Sequence, residues 1–185
     1  MKGYFIKYRA FLLFLGKFLL TYLVFTILYQ SYLNQFDAAR LEPDGFTAFV
    51  ADNTKWLLEL FHYKVGLSLH ESEASFKVAV DGKYIVRIVE GCNALSVMIL
   101  FAAFVVAFSG KPGKTILFII TGVLLIHILN IVRIAILSAG LRYYPQYETL
   151  LHDIVFPLFI YGVVFILWVI WINKFSLYAK ANPKS

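Results

Sequence analysis

Charge and thiols are both scarce in this chain. Of its 185 residues, only 15% are Asp, Glu, Lys or Arg, and Cys92 is the one cysteine. A soluble domain is about 25% charged and about 45–50% apolar. Here 61% of residues are hydrophobic, 18% are aromatic, and the mean hydropathy is +0.75. A water-soluble core of this size cannot bury that much apolar surface, which excludes a soluble enzyme. Disorder is excluded on the same ground. A lone thiol excludes an internal disulfide and a Cys-x-x-Cys redox pair. Gly113-Lys114-Thr115 lacks the rest of a phosphate-binding loop and reads as a basic turn. His62 and His70 have no metal-ligand spacing. No internal repeat or low-complexity tract is present, and the length suits one domain.

The chain does have long apolar runs. Four are long enough, or nearly so, for the roughly 20 residues that a bilayer span needs: about Phe11–Tyr29, Cys92–Phe108, Thr115–Leu137 and Ile154–Ile172. The first is too long for a signal-peptide core, and Gln30-Ser31-Tyr32-Leu33 is no cleavage site, so it reads as a retained helix. The net charge is +6 with a sequence pI near 9.3. On a soluble protein that excess would suggest nucleic acid. Here it flanks the apolar runs, so the expected partner is the lipid bilayer and not nucleic acid. Lys2, Lys7 and Arg9, then Lys111 and Lys114, then Lys174, Lys180 and Lys184 mark three cytoplasmic segments. The expected fold is an all-α integral membrane protein with about four transmembrane helices, N-in and C-in. It forms one membrane domain over residues 1–185, with residues 30–91 outside.

That outer segment has its own pattern. Phe46, Phe49, Val50, Leu57, Leu60 and Phe61, with Trp56, fall near helical spacing, interrupted by Asn53. They predict an amphipathic helix lying on the membrane surface. Phe76, Val78 and Val80, then Tyr84, Val86 and Ile88, alternate on either side of Asp81-Gly82 and predict a β-hairpin. A three-residue loop, Asp81-Gly82-Lys83, would set all six on one face, pairing Val80 with Tyr84, Val78 with Val86 and Phe76 with Ile88.

Polar groups at membrane depth are costly and mark candidate sites. Cys92 opens the second apolar run, Arg133 lies about one turn from the end of the third, and His152 immediately precedes the fourth. Helix direction puts all three at one depth on the outer side. A thiolate gains from the positive end of a helix dipole. A histidine can take the thiol proton and return it to a leaving amine. An arginine can hold a carbonyl and stabilise its oxyanion. Together they suit acyl transfer through a thioester. Each also has a plainer reading: an inert packed thiol, an interfacial histidine, and a guanidinium snorkelling to headgroups. Asn130 is a candidate partner of Arg133, and Ser96 of Cys92. Asp153 and Glu90 are candidates to orient His152 or Arg133, or else solvated end charges. His127, about 9 Å deeper than Arg133 at 1.5 Å per residue, reads first as an interhelical hydrogen bond.

Glu90-Gly91-Cys92-Asn93-Ala94-Leu95, Asn130-Ile131-Val132-Arg133-Ile134 and Leu151-His152-Asp153 resemble the three signature blocks of the exosortase/archaeosortase family in order, spacing and membrane placement. The small size and the last helix, rich in Phe, Ile and Trp, look most similar to the short exosortase F type of Bacteroidetes. The resemblance covers about Glu90–Ile172. It implies a membrane-embedded cysteine transpeptidase or protease in the inner membrane, facing the periplasm and needing no metal or organic cofactor. It would cleave, and given an acceptor transfer, surface proteins whose C-terminal sorting signal is a short motif, a membrane helix and a basic tail. By position, Cys92 would be the nucleophile, Arg133 the essential arginine and His152 the histidine of the triad. Many relatives have about eight spans, a Ser-Gly pair where Asn93-Ala94 stands, and a glycine soon after the histidine, where Pro157 appears. The rival reading is a non-catalytic structural or assembly subunit of an envelope export complex, its polar trio acting as helix-packing glue. A transporter would need polar residues through the full membrane depth. A quinone-linked thiol oxidase is disfavoured by the single cysteine.

Overall fold

A computed structural model describes residues 8–36 and 41–177. The basic residues Lys2, Lys7, Lys180 and Lys184 lie outside that range. The described chain runs α1 (Arg9–Leu33), α2 (Gly45–Leu60), β1 (Val65–Leu69), β2 (Ser75–Val80), β3 (Lys83–Val89), α3 (Leu95–Ala107), α4 (Pro112–Tyr143) and α5 (Phe156–Ile170). Three helical segments are long and apolar enough to cross a membrane: Phe11–Leu33, Pro112–Tyr143 and Pro145–Phe175. The second apolar run, Cys92–Phe108, makes only the 13-residue α3. At 1.5 Å per residue it covers about 20 Å, short of a hydrocarbon core about 30 Å thick. Met98, Phe101, Ala103 and Val105 of α3 are buried inside the bundle.

The helices alternate in direction, so the bundle has two distinct ends. One collects the end of α3, the start of α4 and the end of α5. There Trp171 Nε1 donates to the Phe108 carbonyl at 3.1 Å, Leu177 N–H donates to Ser109 O at 2.9 Å, and Lys17 of α1 donates to Ser109 Oγ at 2.7 Å. The other end carries α2 and the sheet.

α4 is longer than its apolar run predicts, reaching Tyr143 and not Leu137. Its 32 residues measure about 48 Å, well beyond bilayer thickness. The surplus is covered by protein: Ile134 and Ala135 share a core with Val50, Ala51 and Leu58 of α2 and with Val78, Val80 and Ile88 of the sheet. The connection from α4 to α5 is correspondingly tight. α4 ends, a short turn follows at Pro145–Tyr147, and helical structure resumes with a π-helical turn over Leu150–Val155. A second π turn, Trp171–Phe175, closes α5.

The expected outer helix forms as α2, and its aromatic stripe stays outside the protein core. Thr47, Val50, Ala51, Thr54 and Leu58 pack inward, while Phe49, Trp56, Leu60 and Phe61 are exposed. Small side chains are what close approach to α4 requires. Asn53 turns back onto its own helix, donating to the Phe49 carbonyl.

The hairpin also forms, within a three-stranded antiparallel sheet of order β1-β2-β3. Strand β1 was not foreseen, because Val65-Gly66-Leu67-Ser68-Leu69 is too short for its alternation to stand out. The loop expectation is corrected. Val80 pairs with Lys83, so the turn has two residues, with φ +51° at Asp81 and +80° at Gly82. Positive φ at both central positions is the I′ geometry that Asp-Gly favours. A β-bulge at Ile85 absorbs the extra residue and restores the expected pairs Val78–Val86 and Phe76–Ile88. Tyr84 consequently pairs with Ala79, leaves the apolar face and is half exposed.

Gly122 marks the tightest helix contact. A Cβ there would lie 2.3 Å from the ring of the fully buried Phe101. Gly122→Ala should destabilise the bundle by about 1–3 kcal/mol through overpacking. Gly140→Ala, where a Cβ would meet nothing within 4 Å, should be neutral or stabilising by up to about 1 kcal/mol. Thermal unfolding of the two variants in one detergent checks both signs.

Candidate active site

The cysteine sits on a turn, not on a helix. After β3 the chain makes a 3-10 turn over Glu90–Cys92, and Ala94 adopts φ +63° before α3 begins at Leu95. The free Leu95 N–H is capped by Asn93 Oδ1 at 2.8 Å. Cys92 thus precedes the helix by three residues and does not open it, as its apolar neighbours suggested. The helix-dipole argument weakens accordingly, since that field fades within the first turn.

Two buried amides hold this turn. Asn130 of α4, with no solvent exposure, donates Nδ2–H to the Cys92 carbonyl at 2.8 Å. Its Oδ1 accepts from Arg133 Nη1 at 3.2 Å. The expected Asn130–Arg133 contact is present, and the same side chain fixes the cysteine backbone. On the opposite flank, Asn93 Nδ2 donates to Thr47 Oγ1 at 3.1 Å, and the Thr47 hydroxyl donates to the Asp44 carboxylate. Asp44 Oδ1 also accepts the Phe46 and Thr47 N–H groups at 3.0 Å, capping α2. Tyr29 of α1 donates to Glu90 Oε1 at 2.7 Å. Three helices are thereby tied to the residues flanking the thiol. Tyr29, Asp44, Thr47 and Asn93 were missed in the sequence. Asp44 ahead of an apolar-periodic run was the available cue for a helix cap. The others carried no local signal.

Cys92, Arg133 and His152 line one cleft of about 480 Å³. One wall is β3, through Tyr84, Ile85, Val86, Arg87 and Ile88, and Glu148, Thr149 and Asp153 complete the rim. Arg133 lies ten residues before the last residue of α4, about 15 Å along the axis. The expectation that it sits one turn from the helix end is therefore wrong, and α4 continues past it under the sheet. Its Nε is buried without a hydrogen-bond partner among the described residues. His152 is not in a loop but in the π turn, an arrangement that recurs at functional sites. Its Nδ1 is 2.8 Å from Asp153 Oδ1. A carboxylate only accepts, so Nδ1 carries the hydrogen and Nε2 is left as a base. Among the described residues, no hydrogen bond joins the thiol to the imidazole.

Other candidates lie elsewhere. Ser96 is exposed on α3 and does not line the cleft. Glu90 points to Tyr29 and orients neither His152 nor Arg133. Among the described residues, His127 makes no interhelical hydrogen bond through Nδ1. Its ring stacks on Phe49 at 5.3 Å and contacts Phe46 at 5.6 Å. His62 follows the end of α2, and His70 Nδ1 accepts from the Ser72 N–H beyond β1, so the two flank that strand. A second hollow, about 500 Å³ between α1, α2 and α3, is lined by Tyr29, Phe46, Phe49, Ile99 and neighbours, and neither Cys92 nor His152 lines it.

The two amides predict separable effects. Asn130→Ala strips a partner from both the Cys92 carbonyl and Arg133 and should cost about 1–3 kcal/mol. Thr47→Val keeps the volume but breaks the link between Asn93 and Asp44 and should cost a similar amount. Thermal unfolding measures both. The rate of Cys92 alkylation by iodoacetamide should change in each variant, whereas Thr121→Val, at an exposed hydroxyl bonded only to its own helix, should leave it unaltered.

No curated protein and no solved structure is similar enough to be matched with this chain. One protein-family model does match, that described as Transmembrane exosortase (Exosortase_EpsH), over residues 5–171. With most of its length matched, the chain belongs to the transmembrane exosortase family, and its three apolar membrane-length helices and its cleft holding a thiol, a guanidinium and an imidazole agree with that membership.

Proposed function

We propose that the protein is a cysteine transpeptidase or protease, embedded in the inner membrane with its cleft facing the periplasm. Its substrates are surface proteins carrying a C-terminal signal of short motif, membrane helix and basic tail. The observation that carries this reading is that Cys92, Arg133 and His152, drawn from separate elements, line a single cleft. Family membership supports the class of activity, and the basic residues Arg9, Lys111, Lys114 and Lys174 support the orientation. The phenylalanine- and tryptophan-rich last helix favours the short F type.

In this mechanism the Cys92 thiol gives its proton to His152 Nε2, and the sulfur attacks the scissile carbonyl carbon. The C=O electron pair moves onto oxygen, where Arg133 N–H groups stabilise it. Collapse of the tetrahedral intermediate breaks the C–N bond, and the leaving amine takes the proton from His152. Cys92 then holds the acyl group as a thioester. An acceptor amine or water attacks that thioester, regenerating the thiol. Asp153 holds the imidazole in the tautomer that leaves Nε2 free.

Cys92→Ala should abolish processing of a co-expressed substrate while the protein still inserts. Arg133→Ala and His152→Ala should each slow it by about 10²-fold or more. Mass spectrometry of the substrate's new C-terminus reads the outcome, and full processing by Cys92→Ala would overturn the covalent mechanism.

A further inference from the structure

The cleft wall formed by β3 has an unusual composition. Residues 84, 85, 86, 87 and 88 all line it. Beyond the bulge at Ile85 successive strand residues point to opposite faces, so Val86, Arg87 and Ile88 cannot all border a cavity that lies over one face. The cavity must run along the strand's edge. That edge is free, because in the order β1-β2-β3 the third strand pairs only with β2 among the described residues. Every second residue of such a strand turns its N–H and C=O away from its partner. Exposed strand edges are usually blocked by charge, by proline or by a covering element. This one instead opens onto the space shared by Cys92, Arg133 and His152, and β3 leads within three residues from Val89 to Cys92.

We propose that the substrate segment on the acyl side of the scissile bond binds as an added strand on the free edge of β3. This rests on Cys92 being the nucleophile. β3 runs towards Cys92, and the acyl segment must also end there, so the added strand is parallel to β3. Residues 84–88 span about 16 Å at 3.3 Å per residue, enough to read about five substrate residues. Recognition is then mostly through backbone hydrogen bonds, with side chains sampled alternately. The bulge at Ile85 bends the strand where the segment would enter. Ile85 and Val86, packed against Leu137, Leu141 and Phe156, keep the edge rigid.

The test uses the full chain in phospholipid nanodiscs and acetyl-(Ala)n-chloromethyl ketones with one to five alanines. The Cys92 sulfur bonds to the methylene carbon, chloride leaves with the C–Cl electron pair, and the thiol proton goes to His152 or buffer. The alkylation rate, divided by that of iodoacetamide, should rise with chain length. N-methylation of alternate amides should cut it about five-fold per lost hydrogen bond, with the intervening amides insensitive. A benzophenone in place of the middle alanine should cross-link within residues 84–88 and not to β1. A rate independent of length, equal sensitivity at neighbouring amides, or cross-links outside β3 would overturn strand addition and leave the nucleophile standing. Failure of iodoacetamide to alkylate Cys92 would overturn the nucleophile, and this inference with it.

Discussion

One fully buried amide, Asn130, fixes the relation between the thiol and the guanidinium. An asparagine inside an apolar helix is costly unless its donors and acceptor are used. Here Nδ2 serves the Cys92 carbonyl and Oδ1 serves Arg133. Because both partners meet the same side chain, the cysteine turn cannot drift from α4 without breaking a bond in a low-dielectric setting, where an orphaned polar group is expensive. Asn93, Thr47 and Asp44 hold the turn from the far side and tie its position to the start of α2.

That arrangement needs a rigid frame, and α4 supplies it. A helix about 48 Å long is not explained by crossing a membrane. Its surplus turns become the floor of a small extramembrane layer, where Ile134 and Ala135 meet α2 and the sheet and Leu137 and Leu141 meet Ile85, Val86 and Phe156. The wall of the cleft therefore rests on the helix that carries Asn130 and Arg133. Close contact recurs elsewhere along α4. Gly122 admits Phe101, while just ahead of the helix Gly110 lies against Trp171. Both are places where a side chain would push the helices apart.

Hydropathy, basic flanks and residue type were sufficient to infer a helical membrane protein with an inserted amphipathic helix and hairpin, and to bring Cys92, Arg133 and His152 to one end. These are local properties: the length of an apolar run, a period of 2 or 3.6, the sign of charge beside a span. The hairpin shows the limit. Alternation correctly paired Val78 with Val86 and Phe76 with Ile88, yet the turn was misjudged, because nothing in the alternation announces a bulge at Ile85.

What remained hidden was decided by contacts between residues distant in the chain. Helix α3 starts after Cys92 because Asn93 caps Leu95 and is itself held by Thr47, 46 positions earlier. Glu90 turns to Tyr29, and His127 stacks on Phe49, because α1 and α2 happen to pack there. α2 buries Thr47, Ala51 and Thr54 because proximity to α4 rewards small side chains over aromatic ones. Composition and periodicity state which surfaces must leave water. Only the packed molecule decides which surface meets which, since burial is non-directional and the hydrogen bonds that choose among packings join partners that no local window contains.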